Sequence, residues 1–317
     1  MIEYINRGNK ETRSGFGKAL LELGENNTDV VALCADLTDS VKMYAFASSF
    51  PERFFQAGIA ESNMIGVAAG LATCGKIPFA GTFANFASGR VYDQLRQSVA
   101  YSQKNVKICA SHAGITLGED GATHQIMEDI GLIKMLPGFT VINPCDFTQT
   151  YLATLAIANH YGPVYLRFGR PKVPDFTSTN TPFEIGKAIK LVDGNDVSIF
   201  ATGHLVWKAI EATKILSEKN INAEVINIHT IKPIDKQSVI ESVYKTGAAV
   251  SAEEHLKNGG LGDSIAQILA EFIPSPLEYV AVDDKFGESG KPDELLAKFH
   301  LDSIDIVEAA IKAISRK

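Results

Sequence analysis

The chain of 317 residues is 45% hydrophobic and 21% charged, which is material for about two domains with buried cores. A formal net charge of −7, with no basic cluster to offset it, excludes a generic binder of nucleic acid or of membrane surfaces. The start at Met1-Ile2-Glu3-Tyr4 lacks a signal-peptide pattern and no apolar run is long enough to span a bilayer, so a cytoplasmic chain is expected.

Apolar strands alternate with helix-period segments from end to end, the mark of an α/β protein with parallel sheets. The first predicted helix, Arg13–Leu23, sets Phe16, Ala19, Leu20 and Leu23 on one face, with Thr12 or Ser14 as its cap. Strand Val30–Ala35, helix Ser62–Cys74, strand Ile77–Gly81 and helix Ser88–Ser102 follow. Then come strand Val106–Ala110, helix His124–Met135, strand Thr140–Asn143, helix Phe147–His160 and strand Val164–Phe168. The stretch Pro171–Pro182 is rich in Pro, Thr, Ser and Asn without periodicity and reads as an interdomain linker. Beyond it, strands are predicted at Val197–Ala201, Ala223–Ile228, Ala248–Ala252 and Leu277–Val282. The helices around them are Leu205–Ser217, Lys236–Tyr244, Leu261–Phe272 and Ser303–Ser315. The expectation is two α/β domains, residues 1–180 and 181–317, each with a mainly parallel sheet flanked by helices. Cys34, Cys74, Cys109 and Cys145 have neither zinc-type nor C-x-x-C spacing and read as buried reduced thiols.

Ligands of parallel sheets gather where strand ends pass into helices, and three such loops in the first domain carry unusual residues. Ala57-Gly58-Ile59-Ala60-Glu61 precedes an apolar helix, where Glu61 serves either the helix dipole or chemistry. In Gly81-Thr82-Phe83-Ala84-Asn85-Phe86, the two phenylalanines suit either the core or a flat heteroaromatic ring. Ser111-His112-Ala113-Gly114 runs on through Leu117-Gly118-Glu119-Asp120-Gly121-Ala122-Thr123-His124-Gln125. Two histidines, two carboxylates and three glycines so close together favour function, since glycine admits a ligand and His and Asp supply bonds and protons. In the second domain, Glu253-Glu254-His255 precedes the glycine-rich turn Asn258-Gly259-Gly260-Leu261-Gly262. That turn could receive an anion, but its acidic surroundings favour plain strand-to-helix packing. His160, His204, His229 and His300 have no evident partners.

At these loops the sequence resembles the transketolase family. The most specific segment is SHAGITLGEDGATHQ, Ser111 to Gln125. It is supported in order by ADL at Ala35–Leu37, GIAE at Gly58–Glu61, GTFANF at Gly81–Phe86, YLRFGRP at Tyr165–Pro171 and EEHLKNGGLG at Glu253–Gly262. The resemblance implies a pyrimidine-binding domain followed by a transketolase C-terminal domain, with thiamine diphosphate as cofactor and sugar phosphates as substrates. It implies that Glu61 contacts N1′ of the aminopyrimidine, that Phe83 and Phe86 wall that ring, and that Asp36 lies near the cofactor. A third aromatic is often found near Gly89 and is missing here. His112, Asp120 and His124 match residues that bind and polarise the sugar, making Glu61, His112 and His124 the catalytic set. Arg170 matches an arginine that grips the substrate phosphate, with Arg167 as a weaker candidate.

Full-length members hold the diphosphate through Mg2+ or Ca2+ on a Gly-Asp-Gly motif, which this chain lacks; no metal ligand is assigned here. The motif is therefore expected on an N-terminal transketolase subunit, in an assembly such as α2β2. The beta subunit of a 2-oxo acid dehydrogenase shares the domain order, and deoxyxylulose-phosphate synthase is near in chemistry. LGEDGATHQ favours transketolase over the former, and a single long chain is usual for the latter. Glu61, His112, Asp120 and His124 together argue against a non-catalytic regulatory subunit.

Overall fold

The computed structural model describes residues 4–181 and 183–317. The first three residues and Pro182, the last residue of the expected linker, lie outside the described residues. The strands are β1 (Asn9–Glu11), β2 (Val30–Cys34), β3 (Phe54–Gln56), β4 (Ile77–Phe83), β5 (Lys107–Ser111), β6 (Thr140–Ile142), β7 (Val164–Arg167), β8 (Lys172–Pro174), β9 (Ile189–Val192), β10 (Val197–Ala201), β11 (Ala223–Asn227), β12 (Thr230–Lys232), β13 (Ala249–Leu256) and β14 (Leu277–Val282). They form a seven-stranded sheet in the order β12-β6-β7-β5-β4-β2-β3 and a five-stranded sheet in the order β14-β13-β10-β11-β9. Only the β12–β6 and β11–β9 pairings in these two sheets are antiparallel. Helices cover both faces, which is why β2, β5 and β10 are buried along their whole length and read as unbroken strands.

Helix Thr12–Asn26 packs on helix Phe147–Asn159 at Gly15, where a side chain would run into the Phe147 carbonyl. Neither expected cap serves it. Glu11 holds the N-cap position, Thr12 Oγ1 donates to the Gly169 carbonyl, and Ser14 Oγ donates to the Glu11 carboxylate. The expected helix Ser88–Ser102 is helical from Tyr92 to Tyr101, its last seven residues widened to a π-helix, but its start is displaced into a short turn because Ser88 leaves the helical region and its hydroxyl bonds back to the Ala84 carbonyl. The expected helix His124–Met135 is confined to Asp129–Lys134. Its first residues are drawn into a bridge between Ile126 and Gly114.

The stretch read as a linker is anchored through Thr177. β8 pairs with β1, and the buried Asp146 carboxylate accepts the Phe176 and Thr177 amides at 2.9 and 2.7 Å. Sequence alone could not show it, since these partners lie about thirty positions upstream. Cys34, Cys109 and Cys145 are buried thiols, whereas Cys74, at the end of helix Glu61–Thr73, is exposed. No helix among the described residues is long and apolar enough to cross a membrane.

Candidate active site

The loops that follow β2, β3, β4, β5 and β7 all leave carboxyl ends of parallel strands, and they carry the residues singled out above. Glu61 opens helix Glu61–Thr73 with its side chain buried, and Arg90 Nη1 donates to its Oε1 at 2.9 Å. The same guanidinium lies over the Phe86 ring, 4.1 Å from its centroid. Phe83 and Phe86 stack with centroids 5.9 Å apart and planes 15° from parallel. His112 stacks on Phe83 at 3.8 Å, and His124 meets Phe86 edge-on at 5.6 Å. Three sequence loops thus meet in one cluster, two phenyl rings flanked by two imidazoles and joined to the Glu61 carboxylate through the Arg90 guanidinium.

His112 sits in the left-handed region with φ +59°. Its Nδ1 is 2.8 Å from Ser111 Oγ and its Nε2 is 3.4 Å from Arg13 Nη1. A guanidinium only donates, so Nε2 is the acceptor and Nδ1 carries the hydrogen toward Ser111. Burial first, then the positive charges of Arg13 and Arg170, pulls the His112 pKa down to about 3. At neutral pH it is an uncharged, fixed hydrogen-bonding group. His124 is held by Thr123 Oγ1 at 2.9 Å, and Asn85 Nδ2 ties the two loops through the Thr123 carbonyl at 2.8 Å. Asp120 is exposed on the same loop.

Positive charge gathers beside His112. Arg13 donates to the Ser40 carbonyl at 2.9 Å and to Glu11 at 2.8 Å, and the Lys42 amine is 3.2 Å from the other Glu11 oxygen. Burial works against the Glu11 carboxylate, but bonds from Arg13, Lys42 and Ser14 outweigh it and hold its pKa down to about 2. Arg170 donates to the Leu117 carbonyl at 2.7 Å and to Glu119 at 2.8 Å. Arg13, Lys42, Arg90 and Glu11 escaped sequence reasoning. What ties them to the site is distant along the chain, Arg13 to His112 and Arg90 to Glu61, and the one local signal was Gly89: a guanidinium from Arg90, not a third ring, covers Phe86.

Two candidates fare differently. Asp36 is exposed with φ +57°, and its amide donates to Gln56 Oε1 at 2.7 Å. Gln56 also accepts the Gly58 amide at 3.2 Å, so Asp36 is linked to the Glu61 loop rather than to the aromatic pair. Arg167 is corrected. It is buried, with Nε donating to Asp129 at 2.9 Å and Nη2 to the Glu254 carbonyl at 2.9 Å, so it is spent on internal bonds and faces no ligand. The glycine-rich turn of the second half is also closed to outside anions. Glu253 accepts the Leu261 and Gly262 amides at 2.7 and 2.8 Å, filling the helix start from within. Among the described residues, no three His, Cys, Asp or Glu side chains are placed to hold a metal ion.

Residues 9–175 match the family model of the transketolase pyrimidine binding domain, and residues 186–306 that of the transketolase C-terminal domain. The chain belongs to the transketolase family. It is 45% identical to the 6-deoxy-6-sulfo-D-fructose transketolase subunit SqwH of Clostridium sp. (strain MSTE9), over 96% of this chain and 95% of that one. A solved split-gene transketolase, described as an inactive beta4 tetramer, superposes with a TM-score of 0.91 at 48% identity, covering 97% of this chain and 99% of that one. Human transketolase is 32% identical over 96% of this chain but only 49% of its own length. Within the transketolase family, this chain therefore matches the C-terminal subunit of the split form, and family membership implies use of thiamine diphosphate.

Proposed function

We propose that this chain is the C-terminal subunit of a two-chain transketolase, moving a two-carbon ketol unit from a ketose phosphate to an aldose phosphate with an N-terminal partner. The observation that carries this reading is the single surface formed by Glu61, Phe83, Phe86, His112 and His124. A ring-sized aromatic wall beside a buried carboxylate fits the aminopyrimidine end of thiamine diphosphate. The diphosphate end finds no oxygen-rich cluster among the described residues, so its Mg2+ or Ca2+ is assigned to a Gly-Asp-Gly motif on the partner. When bound, the cofactor supplies the nucleophilic carbon and electron sink that ketol transfer needs. Glu61 holds and shares the proton at the ring nitrogen. Neutral His112, with His124 and Asp120, binds and polarises the sugar. Arg170, joined by Arg13 and Lys42, receives the acidic tail. Asp36 is kept as a cofactor-side residue at the mouth of the site. The two units are residues 1–180 and 181–317, and the working assembly is α2β2 in the cytoplasm. Mixing this chain with a Gly-Asp-Gly-bearing transketolase chain and following ketol transfer tests the whole reading; pyruvate decarboxylation without a ketose donor would reverse it.

Arg170→Ala is expected to weaken phosphorylated substrates by roughly 1.5–3 kcal/mol, the scale of a charge-assisted hydrogen bond. Hydroxypyruvate, which has no phosphate, should be affected far less. Equal losses in kcat/KM for both would mark Arg170 as only a brace for the Leu117 carbonyl.

Alanine at Asp120 or His124 is expected to raise substrate KM or lower turnover while cofactor affinity hardly moves. Steady-state kinetics paired with cofactor titration on the complex checks this. Loss of cofactor binding with KM spared in His124→Ala would remove the sugar role.

A further inference from the structure

We propose that Glu254, on β13 of the C-terminal half, is a positioning residue that sets the sugar-binding loop. The inference rests on the reading above for His112, Asp120 and His124. Glu254 is 3% exposed and its Oε1 accepts the Thr116 amide at 2.6 Å. Its carboxylate lies flat against Gly114, which has φ +82° and where any side chain would strike Glu254 Oε1, Cδ and Cγ. Gly114 and Thr116 are the second and fourth residues after His112, itself left-handed. The reach of one side chain from the other half of the molecule therefore fixes where the loop turns after its first histidine.

Glu254 is enclosed on its far side as well. Arg167 Nη2 donates to its carbonyl at 2.9 Å, and His204 Nδ1 stands 3.8 Å from Oε2. The His204 ring makes no hydrogen bond with either nitrogen and presses on Gly169, the residue before Arg170. Burial, with the Arg167 charge, lowers the His204 pKa to about 4, so the imidazole is neutral at working pH. The rest of the loop rests on the same half: Gln125 Nε2 donates to the Ile115 and Glu288 carbonyls, each at 2.9 Å, and Gly121 lies against Ser289. A buried carboxylate is a costly adhesive, since an apolar side chain of similar size holds two domains at less expense. What the carboxylate adds is a directed bond to one loop amide.

Three variants separate reach from charge and from simple adhesion. Glu254→Gln keeps both length and acceptor, and is expected to leave donor KM within about threefold of wild type. Glu254→Asp keeps the charge but is shorter by one methylene, and a displacement of about 1 Å is enough to misalign a site. It should raise donor KM about tenfold in the two-chain complex, with cofactor affinity unchanged. In the same variant, hydrogen exchange at the Thr116 amide of the isolated chain should accelerate, while exchange in Glu254→Gln stays slow. The idea is overturned if Glu254→Asp only lowers the melting temperature, with Thr116 exchange and donor KM as in wild type. It is equally overturned if Glu254→Gln is as damaging as Glu254→Asp, because charge rather than reach would then matter. If wild-type chains mixed together transfer no ketol unit, the functional reading falls, and the exchange measurement alone still decides whether Glu254 holds the loop.

Discussion

Glu61→Gln is expected to lower ketol transfer by the two-chain enzyme about 100-fold or more while leaving the fold intact. The side chain is buried at the first turn of helix Glu61–Thr73 and is joined through Arg90 to Phe86 of the proposed pyrimidine wall. Glutamine fills the same space and still offers Arg90 an oxygen, so packing and the local hydrogen bond survive. What disappears is the ability to hold and release a proton at the ring nitrogen. Circular dichroism and transfer rates should be recorded on the same preparation, with the partner in excess. A rate within about threefold of wild type would show that Glu61 is a helix-dipole residue and nothing more.

The second large effect concerns the chain by itself. Purified alone, it is expected to bind thiamine diphosphate weakly and to show no ketol transfer. On the proposed reading, its ring-facing and hydrogen-bonding residues address only the pyrimidine end of that cofactor. A diphosphate is a multiply charged anion whose tight binding needs a divalent cation in an oxygen-rich site. The three cations beside His112 do not substitute for one. They lie on the side assigned to the sugar's acidic tail, and each already pairs with a carboxylate, Arg13 and Lys42 with Glu11 and Arg170 with Glu119. Calorimetric titration with cofactor and magnesium, on each chain and on the mixture, should find the affinity in the partner and the full response only after mixing. Tight binding together with turnover by this chain alone would sink the split-enzyme reading.

Much of this was legible in the residues. Strands such as β2, β5 and β10 are buried on both faces, so an unbroken apolar run is a true signal of each. Ser111–Gln125 stood out because two histidines, two carboxylates and three glycines so close together are hard to justify by packing alone. The losses occur where a distant partner overrides the local pattern. Ser88–Ser102 has helical periodicity and is helical from Tyr92 to Tyr101, yet its start at Ser88–Val91 turns aside and brings Arg90 onto Glu61, 29 positions away. Arg13 looked like an ordinary first-turn residue, but its nearest functional neighbour, His112, is 99 positions away. The sequence ranked Arg170 above Arg167 only by resemblance, and the structure adds a physical difference. Arg167 lies at the end of β7 against Asp129, and Arg170 reaches the loop carbonyl of Leu117.

β12 is a short strand with a large mechanical meaning. It belongs to the second half of the chain, yet it closes the edge of the first half's sheet by pairing antiparallel with β6. Asn143 carries the junction further, donating to the His229 carbonyl and accepting the Gly203 amide. A fragment ending near residue 181 would keep β6 but leave its edge bare, the kind of surface that recruits other chains. The two halves should therefore melt as one cooperative unit, with a single calorimetric transition and matching curves from probes in either half. Protein that is nicked between residues 178 and 186 should stay together until it unfolds. Two separable transitions would show that the shared strand carries no cooperativity.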